Sequence, residues 1–460
     1  MDQLANLHGN PLSQLISTDP AIRSMAVETL MNDNLDENSV KAVCSLVSDT
    51  DKGVRNSVDL MLSTSSNPFV SKCLVQYISS NDISTRNLAG EILLKIGSNS
   101  VGPMTDALLV SNNDDKKFLI DILGLIGDIK SAPAILDILK NNFNDNVVMA
   151  CIEALGNLNY SEALDTILLV YERNELYKPT IIEAIGKIGT PKALDFIFLK
   201  YNEEDELTKF SMIESLGLIG NEEAFFFLLS ELNEIDGPLT WPAVESINSL
   251  KEKFELNVPY DERMKNMVLK TVDEAPEKYR KAAANLLTLF DGEDTLLSCL
   301  KIYGNDFETD EIIKPKILEK PSTFFEALIS ILNEDSANLK SLLELSLEII
   351  SIEEGAFKNY LTSIQLRNLT DTFTRCIDNP DEEIRKLTTE ILFAFDQKIA
   401  ILFLDKILED ENVWNKLRLL DILSTIDSSE AEQGIVKLSS DKEEMVSERA
   451  RFILSQKSVA

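Results

Sequence analysis

Apolar positions along this chain fall into short stripes of helical spacing. Within residues 160–190, Leu164, Ile167, Leu168 and Tyr171 mark one stripe, and Ile181, Ile182, Ile185 and Ile188 mark a second after a polar turn. Spacing of three and four residues puts such positions on one side of a helix, whereas a half-buried strand alternates every second residue. Strand alternation is absent, and the 17 glycines and 14 prolines stand mostly between the stripes. The pattern predicts an all-α chain.

The two-stripe unit recurs. Its second helix closes on Ile96-Gly97-Ser98, LGLIG at 123–127, LGNLN at 155–159, IGKIG at 185–189, LGLIG at 216–220 and INSLK at 247–251. Leu94, Gly124, Gly156, Gly186, Gly217 and Asn248 then follow one another at steps of 30, 32, 30, 31 and 31 residues. A fixed period near 31 is the signature of stacked supersecondary units. A glycine inside the second helix predicts close approach of the next repeat, and the closing glycine predicts a left-handed C-cap. Helix starts are marked by D-x-x-x-R at Asp19–Arg23, Asp51–Arg55, Asp82–Arg86 and Asp381–Arg385. There the Asp caps, and the Arg, one turn in, is placed to reach an Asp of the adjacent repeat.

D-x-x-[VI]-R followed by A-L-G-x-[IL]-G resembles the HEAT repeat, in the short form of bacterial and phycobilisome-lyase-like repeat proteins. The resemblance covers about 19–251 and returns over about 376–456, where Ile391, Ile422 and Phe452/Ile453 recur at the same step. It implies a right-handed α-solenoid, a superhelix of about thirteen to fourteen stacked antiparallel helix pairs. Three regions are expected: a regular array over 1–251, degenerate helical repeats with longer acidic loops over 252–375, and C-terminal HEAT-like repeats with a cap over 376–460. Pro259, Pro276, Pro315 and Pro321 interrupt the middle region, and 304–322 reads as a loop element able to project over the concave face.

Charge narrows the function classes. The net charge is −33, with −12 carried by residues 201–300 and −8 by 301–400. Such a surface repels phosphate backbones, so a protein partner with a basic surface is expected and nucleic acid is not. His8 is the only histidine, which removes most imidazole acid–base chemistry and histidine-rich metal sites. The five cysteines (Cys44, Cys73, Cys151, Cys299, Cys376) are scattered without a C-x-x-C pair and read as core thiols of a reducing compartment. No signal peptide pattern opens the sequence and no apolar run approaches a membrane span, so a cytoplasmic protein that does not engage membranes is expected.

The candidate site is a ladder of carboxylates: Glu91, Asp121, Glu153, Glu183, Glu214 and Glu245, each three residues before the Leu94/Gly124 series, with Asp421 in the same register. Stacking turns that register into a row suited to a Lys/Arg-rich partner, although a solvated helix face accounts for it equally simply. Evenly spaced exposed carboxylates lack the desolvated, raised-pKa member that acid–base catalysis needs. Trp241, before Pro242 at a second-helix start, is a candidate aromatic anchor, and Phe225-Phe226-Phe227 should divide between core and surface. No catalytic, cofactor or metal residues are expected. The reading is a non-enzymatic protein-binding scaffold or adaptor holding its partner along an acidic concave surface. The resemblance adds that short-repeat bacterial HEAT proteins look like accessory scaffolds in signalling or regulatory assemblies. It leaves, as the alternative, an enzyme or enzyme subunit similar to the phycobilisome (bilin) lyases.

Overall fold

Helix starts in this chain are fixed by short polar side chains. Asp19, Asp51, Asp82, Asn112, Asn144 and Asp205 each accept a hydrogen bond from a backbone N–H two or three residues ahead, in the manner of N-caps. In the computed structural model, residues 10–31, 35–319, 321–332, 338–353 and 356–457 are described. They are helical with short connections, and they divide into two compact units, Met1–Glu231 and Leu232–Ala460. His8 lies outside the described residues.

The first unit runs α1 (Pro11–Gln14), α2 (Pro20–Leu30), α3 (Glu37–Ser45), α4 (Lys52–Ser63), α5 (Phe69–Leu74), α6 (Ile83–Ile96), α7 (Val101–Leu108) and α8 (Asn113–Ile126). It continues through α9 (Ala132–Asn141), α10 (Asp145–Asn157), α11 (Leu164–Leu169), α12 (Lys178–Ile188), α13 (Pro191–Lys200), α14 (Glu206–Ile219) and α15 (Glu222–Glu231). The even-numbered second helices pack one on the next from α2 to α14. First helices pack likewise, α3 on α5, α5 on α7 and α9 on α11. This is the stacked arrangement of an α-solenoid, with a core shared by each pair and its neighbour.

The glycines inside α8, α10 and α12 do what their position predicted. A Cβ on Gly156 would stand 2.7 Å from Ala184 Cα, and one on Gly124 would stand 3.0 Å from Ala154 Cα, so the backbones meet only because side chains are absent. The closing glycine obeys the expectation in part. Gly127 and Gly189 take left-handed φ of 72° and 70°, and Asn159 takes that role in LGNLN with φ 48°. Gly220 instead has φ −63°, which any residue adopts; it is required because a Cβ there would meet the Leu216 carbonyl oxygen at 2.1 Å.

The second unit continues with α16 (Thr240–Phe254), α17 (Glu262–Glu274), α18 (Glu277–Leu287), α19 (Glu293–Ile302), α20 (Phe307–Leu318), α21 (Pro321–Leu332) and α22 (Leu339–Glu353). It ends with α23 (Ser363–Arg375), α24 (Glu382–Phe395), α25 (Gln397–Leu402), α26 (Leu404–Ile407), α27 (Val413–Ser424), α28 (Ser429–Leu438) and α29 (Glu444–Lys457). Here α16, α18 and α20 pack in sequence, as do α22, α24, α27 and α29. The expected loop over 304–322 is corrected: most of it is helix α20. Asp306 caps it on the Thr309 N–H, Ile313 and Ile317 bury its inner face, and Pro315 sits on the exposed side. A proline there removes one ladder bond without facing the core. No described helix is long and apolar enough to cross a membrane.

Candidate functional site

The expected Arg-to-Asp reach is observed and is broader than the D-x-x-x-R motif. Arg23 forms a two-pronged pair with Asp49 at 2.7 Å on both arms, and Arg385 does the same with Asp410 at 3.1 and 3.0 Å. Lys178 meets Glu204 at 3.0 Å and Lys416 meets Asp441 at 2.7 Å from the equivalent turn. Arg86 lies 3.5 Å from the buried Asp115 carboxylate, which also accepts from the Ser79 hydroxyl at 2.6 Å. Arg55 departs from the rule, spending its guanidinium on the Asp49 and Thr50 carbonyls of its own turn. The Arg23 guanidinium holds Asp49 below the usual carboxylate range. Desolvation pushes Asp410 up, but Arg385 and the Asn412 N–H outweigh it and the net shift is downward. These pairs are enclosed between repeats and hold consecutive helix starts together; the acidic halves, in connections or, for Asp115, in the first turn of α8, carried no motif.

The carboxylate ladder stands on second helices as expected. Glu91, Asp121, Glu153, Glu183 and Glu214 lie on α6, α8, α10, α12 and α14 of the first unit, and Glu245 lies on α16 of the second. Glu91, Glu153 and Glu183 are exposed, while Asp121, Glu214 and Glu245 are half-buried. Lysines from the same helices answer several of them. Lys95 bridges Glu91 and Asp59 at 2.8 Å each, Lys117 meets Asp121 at 2.6 Å, and Lys187 meets Glu183 at 2.6 Å and the Asn157 amide oxygen at 2.9 Å. Asp59, then Glu91, raise the Lys95 pKa above its ordinary value. The row is therefore a zipper of exposed and half-buried charges of both signs, in which only the acidic register is continuous. Exposed pairs of this kind are worth at most about 1 kcal/mol and exchange easily.

Trp241 is half-buried on α16, 6.5 Å between ring centroids from Tyr279 of α18, with its indole N–H enclosed and without a partner. The Phe225-Phe226-Phe227 run divides as expected: Phe225 is fully buried, Phe227 packs edge-on against Phe198 and Tyr201, and Phe226 faces outward. Sequence reasoning weighed Trp414 with Trp241 but did not group it with other exposed side chains of the last helices. Trp414 and Met445, at the second positions of α27 and α29, are 68% and 55% exposed, and Phe452 further along α29 is 54% exposed. Between them Arg418 pairs with Glu390 at 2.6 Å and Arg449 with Asp421 at 2.7 Å. Trp414 to Met445, and Asp421 to Phe452, are each one period of 31 residues, a signal that was available. Among the described residues, no group of three or more His, Cys, Asp or Glu side chains is placed to hold a metal ion.

No family model matches the sequence, and no curated protein matches it. Among solved structures, importin beta in an ammonium sulfate condition is similar over 98% of this chain and 72% of its own, with 11% identity and a TM-score of 0.45. Kap121p bound to Nup53p is similar over 98% of this chain and 60% of its own, at 14% identity and a TM-score of 0.43. The complex of CpcE and CpcF of phycocyanin lyase from Nostoc sp. PCC7120 is similar over 53% of this chain and 92% of its own, at 14% identity and a TM-score of 0.34. The period, the second-helix glycines and the basic residue at the helix starts resemble those of HEAT repeats, and the distant likenesses extend no further than the helix stack.

Proposed function

We propose that the chain is a non-enzymatic scaffold that holds a protein partner with a basic surface against the second-helix row of carboxylates. The observation that carries this reading is one register of acidic residues, Glu91, Asp121, Glu153, Glu183 and Glu214, repeated on five contiguous helices of the first unit. Neighbouring helix axes about 8–10 Å apart give such a row the rise of an extended or helical segment bearing Lys or Arg. The intrahelical lysines Lys95 and Lys117 are exposed and Lys187 is half-buried, and partner cations displace the exposed ones at little cost. Glu245 and Trp241 on α16 are assigned the same role in the second unit. The net charge of −33 favours protein over nucleic acid, in line with a cytoplasmic adaptor.

The test is capture from native-host lysate by the full chain at low and high salt, repeated with Glu153, Glu183 and Glu214 all changed to Lys. A stoichiometric partner that is salt-sensitive and lost on reversal, with unchanged helical circular dichroism, is the expected result. A partner retained equally by the reversed protein removes the row as its binding surface.

A further inference from the structure

One place in the repeat carries an exposed apolar side chain in four consecutive copies. Val110 stands in the turn before α8, Phe143 in the turn before α10, Leu176 in the single helical turn Glu175–Tyr177 that leads into α12, and Leu207 at the second position of α14. All four are between 67% and 87% exposed, and they follow one another at steps of 33, 33 and 31 residues. Because α8, α10, α12 and α14 pack in order, these positions form a row along the edge of the first unit where the second helices begin. Large apolar side chains scattered singly over a surface need no explanation, but one at the same place in four successive repeats does. The row is also held in position. The Arg173 guanidinium lies 5.2 Å from the centre of the Phe143 ring, tying that ring to the next repeat, and the Lys178–Glu204 pair fixes the start of α12 against that of α14. Acidic groups accompany it. Asp114, Asp145, Glu175 and Glu206 are exposed at the same helix starts, and Glu183 and Glu214 of the carboxylate row stand seven residues beyond Leu176 and Leu207. Seven helical residues place them about 10 Å further along α12 and α14.

We infer that this edge of the first unit seats an amphipathic basic helix of the partner, whose apolar side chains lie on Val110, Phe143, Leu176 and Leu207 while Lys or Arg on its flank meets the carboxylates. Resting on the basic partner proposed above, this adds apolar anchors to it. Spacing selects the conformation. Second-helix axes stand about 8–10 Å apart, and seven residues of helix rise about 10.5 Å, so a helix laid across the stack sets every seventh residue over one repeat. An extended chain returns to the same face about every 7 Å and falls out of step with the row. The apolar anchors supply affinity, and the acidic surroundings orient the helix and reject acidic competitors.

The experiment measures, by fluorescence anisotropy, the binding of two synthetic Ala-rich helical peptides to the full chain. Both are roughly 22 residues long and carry the same lysines along one flank; one has Leu at every seventh residue, and the other has Ala there. The Leu peptide should bind about tenfold more tightly or better. That advantage should vanish in the double variant Leu176→Ser/Leu207→Ser, which binds the Ala peptide as the wild type does. Both leucines are exposed, so helical circular dichroism should be unchanged, and Phe143→Ser should reduce the same advantage independently. Equal affinity for the two peptides, or an advantage that survives the double substitution, overturns the inference. If the Ala peptide is then still bound in a salt-sensitive manner, the carboxylate row stands without the apolar one. Failure of both peptides to bind at low salt overturns the two readings together.

Discussion

Two stretches of the chain secure neighbouring repeats by different means. Over α8 to α14 of the first unit, second helices meet backbone to backbone, with Gly124, Gly156 and Gly186 facing Ala154, Ala184 and Ser215. Over α24 to α29 of the second unit, the equivalent positions three residues after Glu390 and Asp421 are Phe393 and Ser424, which carry side chains where the first unit has glycine. There the helix starts carry the two-pronged Arg385–Asp410 pair and the Lys416–Asp441 pair, enclosed between repeats. Close backbone packing relies on dispersion and is insensitive to pH, whereas ion pairs tolerate bulk but depend on charge.

The strongest way to break this contrast is Gly156→Val, which forces a branched side chain against Ala184 Cα 2.7 Å away. Overpacking at a backbone contact should cost about 3 kcal/mol, read as a lower urea midpoint. A valine at Ser424, by contrast, should be nearly neutral. Next in size, Arg385→Met strands Asp410 without its guanidinium. We expect a loss of about 2 kcal/mol, between the values for exposed and fully buried pairs, measured by urea denaturation at neutral pH.

Acid titration sharpens the same comparison with a smaller effect. Asp49 and Asp410 both ionise below the ordinary carboxylate value when folded. Their contribution is therefore fully present above the unfolded carboxylate pKa and is lost as pH falls through the depressed folded one. Thermal unfolding followed from neutral to strongly acidic pH should show this decline, and Arg385→Met should flatten it; an unchanged slope would deny Asp410 its part. Smallest of all, Glu153→Lys should shift stability by less than about 0.5 kcal/mol, since the side chain is exposed. A larger loss in the melting curve would mean that the carboxylate row is structural.

What was legible in the sequence is what the repeat imposes on every copy. The period, the second-helix glycines and the capping Asp before Arg follow from backbone contacts and helix ends, and those leave fixed residues at fixed spacing. The acidic halves of the ion pairs were hidden because Asp49, Glu204 and Asp441 sit in connections between helices and Asp115 in the first turn of α8, where spacing drifts between repeats. Asp115 itself is buried, which nothing in the run Asn112-Asn113-Asp114-Asp115 announces. Pro315 suggested a loop because proline argues against a helix interior, but on an exposed side its cost is small. The carboxylate ladder was legible as a register, yet the intrahelical lysines one turn from Glu91, Asp121 and Glu183 were overlooked.

The ion pairs at the helix starts have a further consequence. Each ties one repeat to its immediate successor and to no other, so within a unit the chain behaves as a row of links, each aware only of the next. Damage to one link frays its two neighbours and fades along the row. Such a molecule can exchange individual repeats over evolutionary time, or loosen at one place, without forfeiting order elsewhere.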